Sequence, residues 1–278
     1  MASNLACIGM AASNAAEFAA LVNDVRSRAV RFGNVGNLEL LRWDDPSGAR
    51  FVFGIEGGKV VDFLPSFSVE PATSLARVRM VNDDIATAAV VDDDGDQLTG
   101  FTFELEQFRL LAERTVESAL AAVVFLGRSI SVHTDSEAFS NSVASLLDAN
   151  ADTASPAPSH YVDRGWKWPP RVAEESFFSY GVFGEPSKSN ANARFAGTVI
   201  SAERRTNEET KQTFIVVKVC TTGIDATVCV SGDELDSVPL PGQVIAGDVF
   251  IVGSIPILEP AQASRRRWRD AAKPARKT

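Results

Sequence analysis

FAGTVISAERRTNEETKQTFIVVKVCTTGIDATVCV, residues 195–230, alternates apolar runs with polar turns. Phe195–Ala202, Thr213–Thr221 and Ala226–Val230 are dense in β-branched side chains, which fit a pleated surface, and read as three successive strands. Val249–Ile255 adds a fourth after SVPLPGQVIAGD, whose Pro and Gly residues force turns.

Short antiparallel strands in this order resemble an OB-fold, a partly open small barrel that binds oligonucleotides or sugars in many proteins. The resemblance runs from Phe195 to about Leu258. A Pro/Gly loop replaces the helix expected before the fourth strand, and no clear fifth strand follows. OB-folds that bind single strands combine basic grooves with aromatic platforms. From Arg194 to Asp248 there are five basic and eight acidic residues, and Phe195, Phe214 and Phe250 sit among Val and Ile as core. Arg204 and Arg205, at the tip of a hairpin, are the candidate phosphate contacts here.

Upstream, Asn4–Met10 reads as a strand. Asn14 with Glu17 three residues on is a capping-box pattern. Phe18, Leu21, Val22, Val25 and Ala29 then lay an apolar stripe along a helix over Ala15–Val30. DDPSG and EGGK are turn chemistry separating strands Leu38–Trp43, Ala49–Ile55 and Val60–Leu64. The start is therefore β-α-β-β-β. Leu75–Val81, Thr87–Val91 and Phe101–Leu105 continue as strands. In Val116–Phe125 the alanines favour helix and the Val-Val-Phe end favours strand. GRSISVH turns into a further strand, and Ser136–Leu147 reads as helix. The fold class is α+β: a mixed α/β-sheet domain over 1–148, a Pro-rich and aromatic linker over 149–194, a small OB-like β-barrel over 195–258 and a basic flexible tail over 259–278.

Cys7-Ile8-Gly9, Phe195-Ala196-Gly197 and Glu203-Arg204-Arg205-Thr206-Asn207 are similar to segments of uncharacterised bacterial proteins with an α+β N-terminal domain and a C-terminal OB-like β-barrel. That resemblance implies the architecture and brings no activity and no catalytic residues. The β-α-β-β-β start also looks like half of a glyoxalase-like module, a family that binds a metal through His, Gln or Glu on its strands. Asn4–Met10 offers none of these ligands, the second block has no helix after Leu75–Val81, and Glu104 stands alone. A small-molecule enzyme of glyoxalase-like fold is thus the remotest reading.

The formal charge is −9, but the last fourteen residues, RRRWRDAAKPARKT, carry seven Lys/Arg and one Asp, which leaves −15 for the rest. No apolar run approaches the roughly 20 residues of a bilayer span. The N-terminus lacks the positive region of a secretory signal, so a cytoplasmic location is expected. Cys7, Cys220 and Cys229 make no disulfide framework or CxxC pair and read as buried thiols. VVDDDGDQL fails the calcium-loop spacing, with Val90 at the first position and Phe101 at the twelfth when Gly95 is the sixth. GIEGGKV is one residue short of a phosphate loop and lacks its hydroxyl. Only His133 and His160 could serve a triad or zinc site. No catalytic residue, metal ligand or cofactor is assigned.

Two binding readings remain. Tyr161, Trp166, Trp168, Phe177, Phe178, Tyr180 and Phe183 crowd one stretch, and Trp and Tyr dominate binding hot spots. The first reading is a non-enzymatic scaffold that contacts a protein partner through Trp166, Trp168, Phe177, Phe178 and Tyr180. The alternative is a nucleic-acid-associated protein using Arg204, Arg205 and the tail residues Arg265, Arg266, Arg267, Trp268 and Arg269, whose charge neutralises phosphates.

Overall fold

Asn14 Oδ1 accepts from Glu17 N at 2.9 Å, and Glu17 Oε2 accepts from Ser13 N at 2.8 Å. This cap starts α1 (Ala15–Ser27), in a computed structural model that describes residues 3–148, 151–152 and 154–260. The chain is mostly β, with short helices, and its strands form a four-stranded and a nine-stranded sheet. No helix among the described residues is long and apolar enough to cross a membrane.

The small sheet is an antiparallel meander of β1 (Val30–Val35), β2 (Leu38–Asp44), β3 (Ala49–Glu56) and β4 (Lys59–Phe67). Gly57 and Gly58, both at positive φ, make the β3–β4 turn, because a two-residue hairpin loop must follow the right-handed strand twist. Two N-terminal expectations are corrected. Asn4–Met10 is not a strand: Ala6–Ile8 is one 3-10 turn closed by left-handed Gly9. Its carbonyls are satisfied by side chains of a distant hairpin, with Asn207 Nδ2 donating to Ile8 O at 3.1 Å and Thr210 Oγ1 donating to Gly9 O. The helix also stops three residues early, and Val30–Val35 pairs with β2, so the start is α-β-β-β-β.

The large sheet contains β5 (Thr73–Met80), β6 (Ile85–Val91), β7 (Gln97–Leu105), β8 (Val116–His133), β9 (Ser176–Ser179), β10 (Asn192–Thr206), β11 (Thr213–Thr221), β12 (Ile224–Ser231) and β13 (Val244–Ser254). Its pairings close two five-membered circuits. One runs β5–β6–β7–β13–β8 and back to β5; the other runs β10–β11–β12–β8–β13 and back to β10. Each circuit has a single parallel contact, β7 with β13 and β12 with β8. The two therefore repeat one plan: a three-stranded meander, its own fourth strand, and a fifth borrowed from the other unit. β8 and β13 are the shared strands, antiparallel from Ala122–His133 against Val244–Ser254.

Their length fits this double duty. On β8, Val123 and Phe125 point into a core common to both circuits, while Val124 and Leu126 point outward under the small sheet. Burial on both faces from Ala121 to Phe125, with pairing of Val116–Ala121 to β5, selects strand over helix for the ambiguous 116–125 stretch, whatever its alanines prefer alone. The downstream circuit is closed by the upstream β8, so pairings cross the boundary expected near residue 148.

The helix expected over Ser136–Leu147 is shorter, with α3 (Ser136–Asn141) giving way to a 3-10 turn. The helices α2 (Phe108–Leu111) and α4 (Ser159–Arg164) are also brief. Within the expected linker, β9 pairs with β10, and Phe177 stacks on Phe125 at 5.4 Å.

A shared interior requires the two circuits to melt together. Phe125→Ala, which removes a ring buried between Phe177 and Phe195, should cost about 3–5 kcal/mol. In urea, tryptophan fluorescence and circular dichroism should still give one coincident transition. Two separated transitions would show that the units fold independently.

Candidate functional site

Two recesses and one aromatic face stand out. The larger recess, about 660 Å³, is a groove over the outer side of β10, β11 and β12. Alternation along the strands puts Glu203, Arg205, Val216, Lys218, Asp225 and Thr227 on its surface, and the connector from β4 to β5 walls it. Arg205 is engaged there: its guanidinium donates to Glu203 Oε1 at 2.6 Å and to Ser47 O at 2.8 Å, and lies 5.4 Å over the Phe67 ring. Arg204 sits beside it in sequence but reaches Gly232 O instead, at 3.4 Å. Lys218 has no hydrogen-bond or ion-pair partner among the described residues. Arg265, Arg266, Arg267, Trp268 and Arg269 lie outside the described residues.

The smaller recess, about 250 Å³, is a cleft between the small sheet and the end of β7. Leu40, Val52, Phe63, Leu64 and Phe108 give it apolar walls, and Asp62, Asp84, Glu104 and Glu106 bring carboxylates to it. Two of these are matched. Arg109 clasps Asp62 through contacts of 2.8 and 3.0 Å. Glu106, 1% exposed, takes Arg50 Nη1 at 3.1 Å and Ser66 Oγ at 2.6 Å. Among the described residues Asp84 and Glu104 have no such partner. Burial pushes the Glu104 carboxyl up to about 7, Asp84 adds to the rise, and Arg128 opposes it. The β6–β7 register pairs Ile85 with Glu104, which is what brings Asp84 there. Sequence reading passed over Asp84, and only that register would have found it.

The aromatic run divides. On β9, alternation turns Phe177 toward the core, where it is partly buried, and Phe178 outward. Tyr180 and Phe183 are also exposed, and Tyr180 OH approaches Asp248 at 3.4 Å. Trp166 and Trp168 form a separate cluster around Tyr161 beside α4. Trp168 Nε1 donates to Ser155 O, the Tyr161 ring meets both indoles edge-on, and Arg164 lies over Trp166.

The remaining candidates are quiet. His133 Nε2 bonds Ser131 Oγ at 2.9 Å and packs on Phe139; burial lowers its pKa, and no carboxylate bonds it among the described residues. His160 packs on Tyr161. All three cysteines are free thiols; burial raises Cys7 to about 12 and Cys229 well above its ordinary value, which keeps both protonated. Among the described residues no group of three or more His, Cys, Asp or Glu is placed to hold a metal.

Glu104 makes stability depend on pH. Its folded pKa lies above the unfolded one, so the native state binds more protons between about 4.5 and 7. Its contribution is fully present below the unfolded value and is lost as pH rises through 7. Glu104→Gln should therefore raise the urea midpoint at pH 8 and leave it nearly unchanged at about pH 4. An equal effect at both pH values would refute a titrating Glu104. Comparison with family models, with curated proteins and with solved structures finds no match, and the site is read from its geometry.

Proposed function

We propose that this chain is a non-enzymatic binding protein that holds a protein partner against the aromatic face at residues 178–183. One observation carries the reading: apolar rings are held outward on a rigid backbone. Phe178 is 37% exposed, Tyr180 44%, Val182 42% and Phe183 71%. The same segment is pinned from beneath. Thr102 N donates to Ser179 Oγ at 3.0 Å, Thr102 Oγ1 to Asn190 O at 2.7 Å, and Ser189 Oγ to Gly181 O at 2.7 Å. Gly181 is so tightly enclosed that an added Cβ would fall 2.1 Å from Asn190 O. Each ring left in water forgoes about 1.5–3 kcal/mol of burial, an amount a partner would recover. A backbone already fixed also spares the ordering cost of association.

Two further features belong to this reading. We read each circuit as OB-like, supported by its meander, its fourth and fifth strands and its one parallel contact. On that reading the groove over β10–β11–β12 is a second contact surface, because OB-like barrels hold ligands on such a face. The free thiols suit a reducing, cytoplasmic setting.

The test is a photo-reactive residue placed at Phe183, with Leu98, exposed on another strand, as the control position. A specific adduct at 183 and none at 98 is expected. Phe178→Ser with Phe183→Ser should weaken binding of the captured protein at least about tenfold, as for hot-spot residues, without lowering the unfolding midpoint. Undiminished binding by that variant would end the proposal.

A further inference from the structure

The described chain leaves the fold beside the acidic cleft. Glu259 Oε1 accepts from Arg42 Nη1 at 2.6 Å and from Gln107 Nε2 at 2.8 Å, and Ile255 N donates to Gln107 Oε1 at 2.9 Å. Both anchors adjoin the cleft. Gln107 stands between Glu106 and Phe108, which line it, and Arg42 lies two residues along β2 from Leu40, on the same face. Beyond Pro260 the sequence reads AQASRRRWRDAAKPARKT, with seven Lys/Arg, one Asp and Trp268.

We propose that the cleft between the small sheet and β7 is the intramolecular docking site of the basic segment Arg265–Lys277. Charge complementarity is specific. Asp62 and Glu106 already have their arginines, whereas Asp84 and Glu104 face the recess with no ion-pair or side-chain hydrogen-bond partner among the described residues, Arg109 and Arg128 acting on them only from a distance. A guanidinium or ammonium between them satisfies both carboxylates, and the walls of Leu40, Val52, Phe63, Leu64 and Phe108 receive the stems of arginines or the Trp268 indole. Reach is ample: Trp268 is nine residues past Glu259 and extends to about 30 Å from it. Tethering this close gives an effective concentration of about millimolar, so modest individual contacts suffice. The segment then acts as a tethered ligand that competes with any cationic group offered to the cleft. This surface shares no residue with the aromatic face, and each proposal can fail alone.

The experiment uses the full-length chain at low salt. Zero-length carbodiimide coupling, which joins an amine to a carboxylate in contact, is followed by peptide mass spectrometry. Intramolecular links from Lys273 or Lys277 to Asp84, Glu104 or Asp62 are expected. In parallel, the emission of Trp268 is taken as the difference between the wild type and Trp268→Phe. It should be blue-shifted, and the docked fraction should fall about fivefold in Asp84→Asn with Glu104→Gln, the loss of two charge pairs. Asp93→Asn with Asp94→Asn, which removes equal charge from an exposed turn, should leave it unchanged. Links scattered over other carboxylates, links only between chains, or equal responses of the two double variants would each overturn the proposal.

Discussion

Everything in this fold hangs on the antiparallel pairing of β8 with β13. Ala122–His133 runs against Val244–Ser254, and each strand is the fourth member of one circuit and the fifth of the other. A strand with two owners cannot be released by one without opening the other. Its register is correspondingly demanding, because a one-residue slip would turn Phe125 and Val123 out of the shared core and put Val124 and Leu126 in their place. The irregularity between Ala246 and Asp248 is tolerated through Gly247, where a side chain would meet Ser129 O at 2.7 Å.

Sharing strands leaves each unit with an outer face to cover, and the chain uses different material on each. The small sheet lies over β8, β11, β12 and β13, burying Phe214, Val216, Cys229 and Val252 against Phe51, Phe53 and Phe67. Over β7 the cover is the segment after β9, tied through Thr102 to Ser179 and Asn190. Where a cover stops short, a recess opens: the groove over β10–β11–β12 beside the β4–β5 connector, and the cleft at the end of β7. The recesses of this molecule therefore lie at the margins of its packing.

Charge follows the same division. Arg50 with Glu106 and Arg109 with Asp62 are matched where the two sheets meet, because a charge removed from water must keep a partner. The excess of carboxylates is left to the surface and to the rim of the cleft, where Glu104 answers to burial by holding its proton to a higher pH. The basic run at the other end of the sequence is the only large reserve of opposite sign.

Local chemistry was legible in the residues themselves. The Asn14–Glu17 cap, the double-glycine turn before β4, the Asp92–Asp96 turn and the three strands of residues 195–230 all depend on neighbours a few positions apart, and alternation or turn preference suffices to read them. The sequence also settled that acidic body and basic tail differ in charge. What lay beyond it was every decision taken across distance. Ala6–Ile8 became a 3-10 turn because Asn207 and Thr210 satisfy its carbonyls from two hundred residues away. Val116–Phe125 became strand because it pairs with β5 and both faces of its second half are buried, and Phe177 parted from Phe178 because β9 lies against β10. Asp84 met Glu104 through a hairpin register, and the downstream circuit was closed by the distant β8. Propensity acts over a few residues at under about 1 kcal/mol each, whereas burial of one large side chain is worth about 1.5–3 kcal/mol, so wherever the two disagreed the tertiary structure decided.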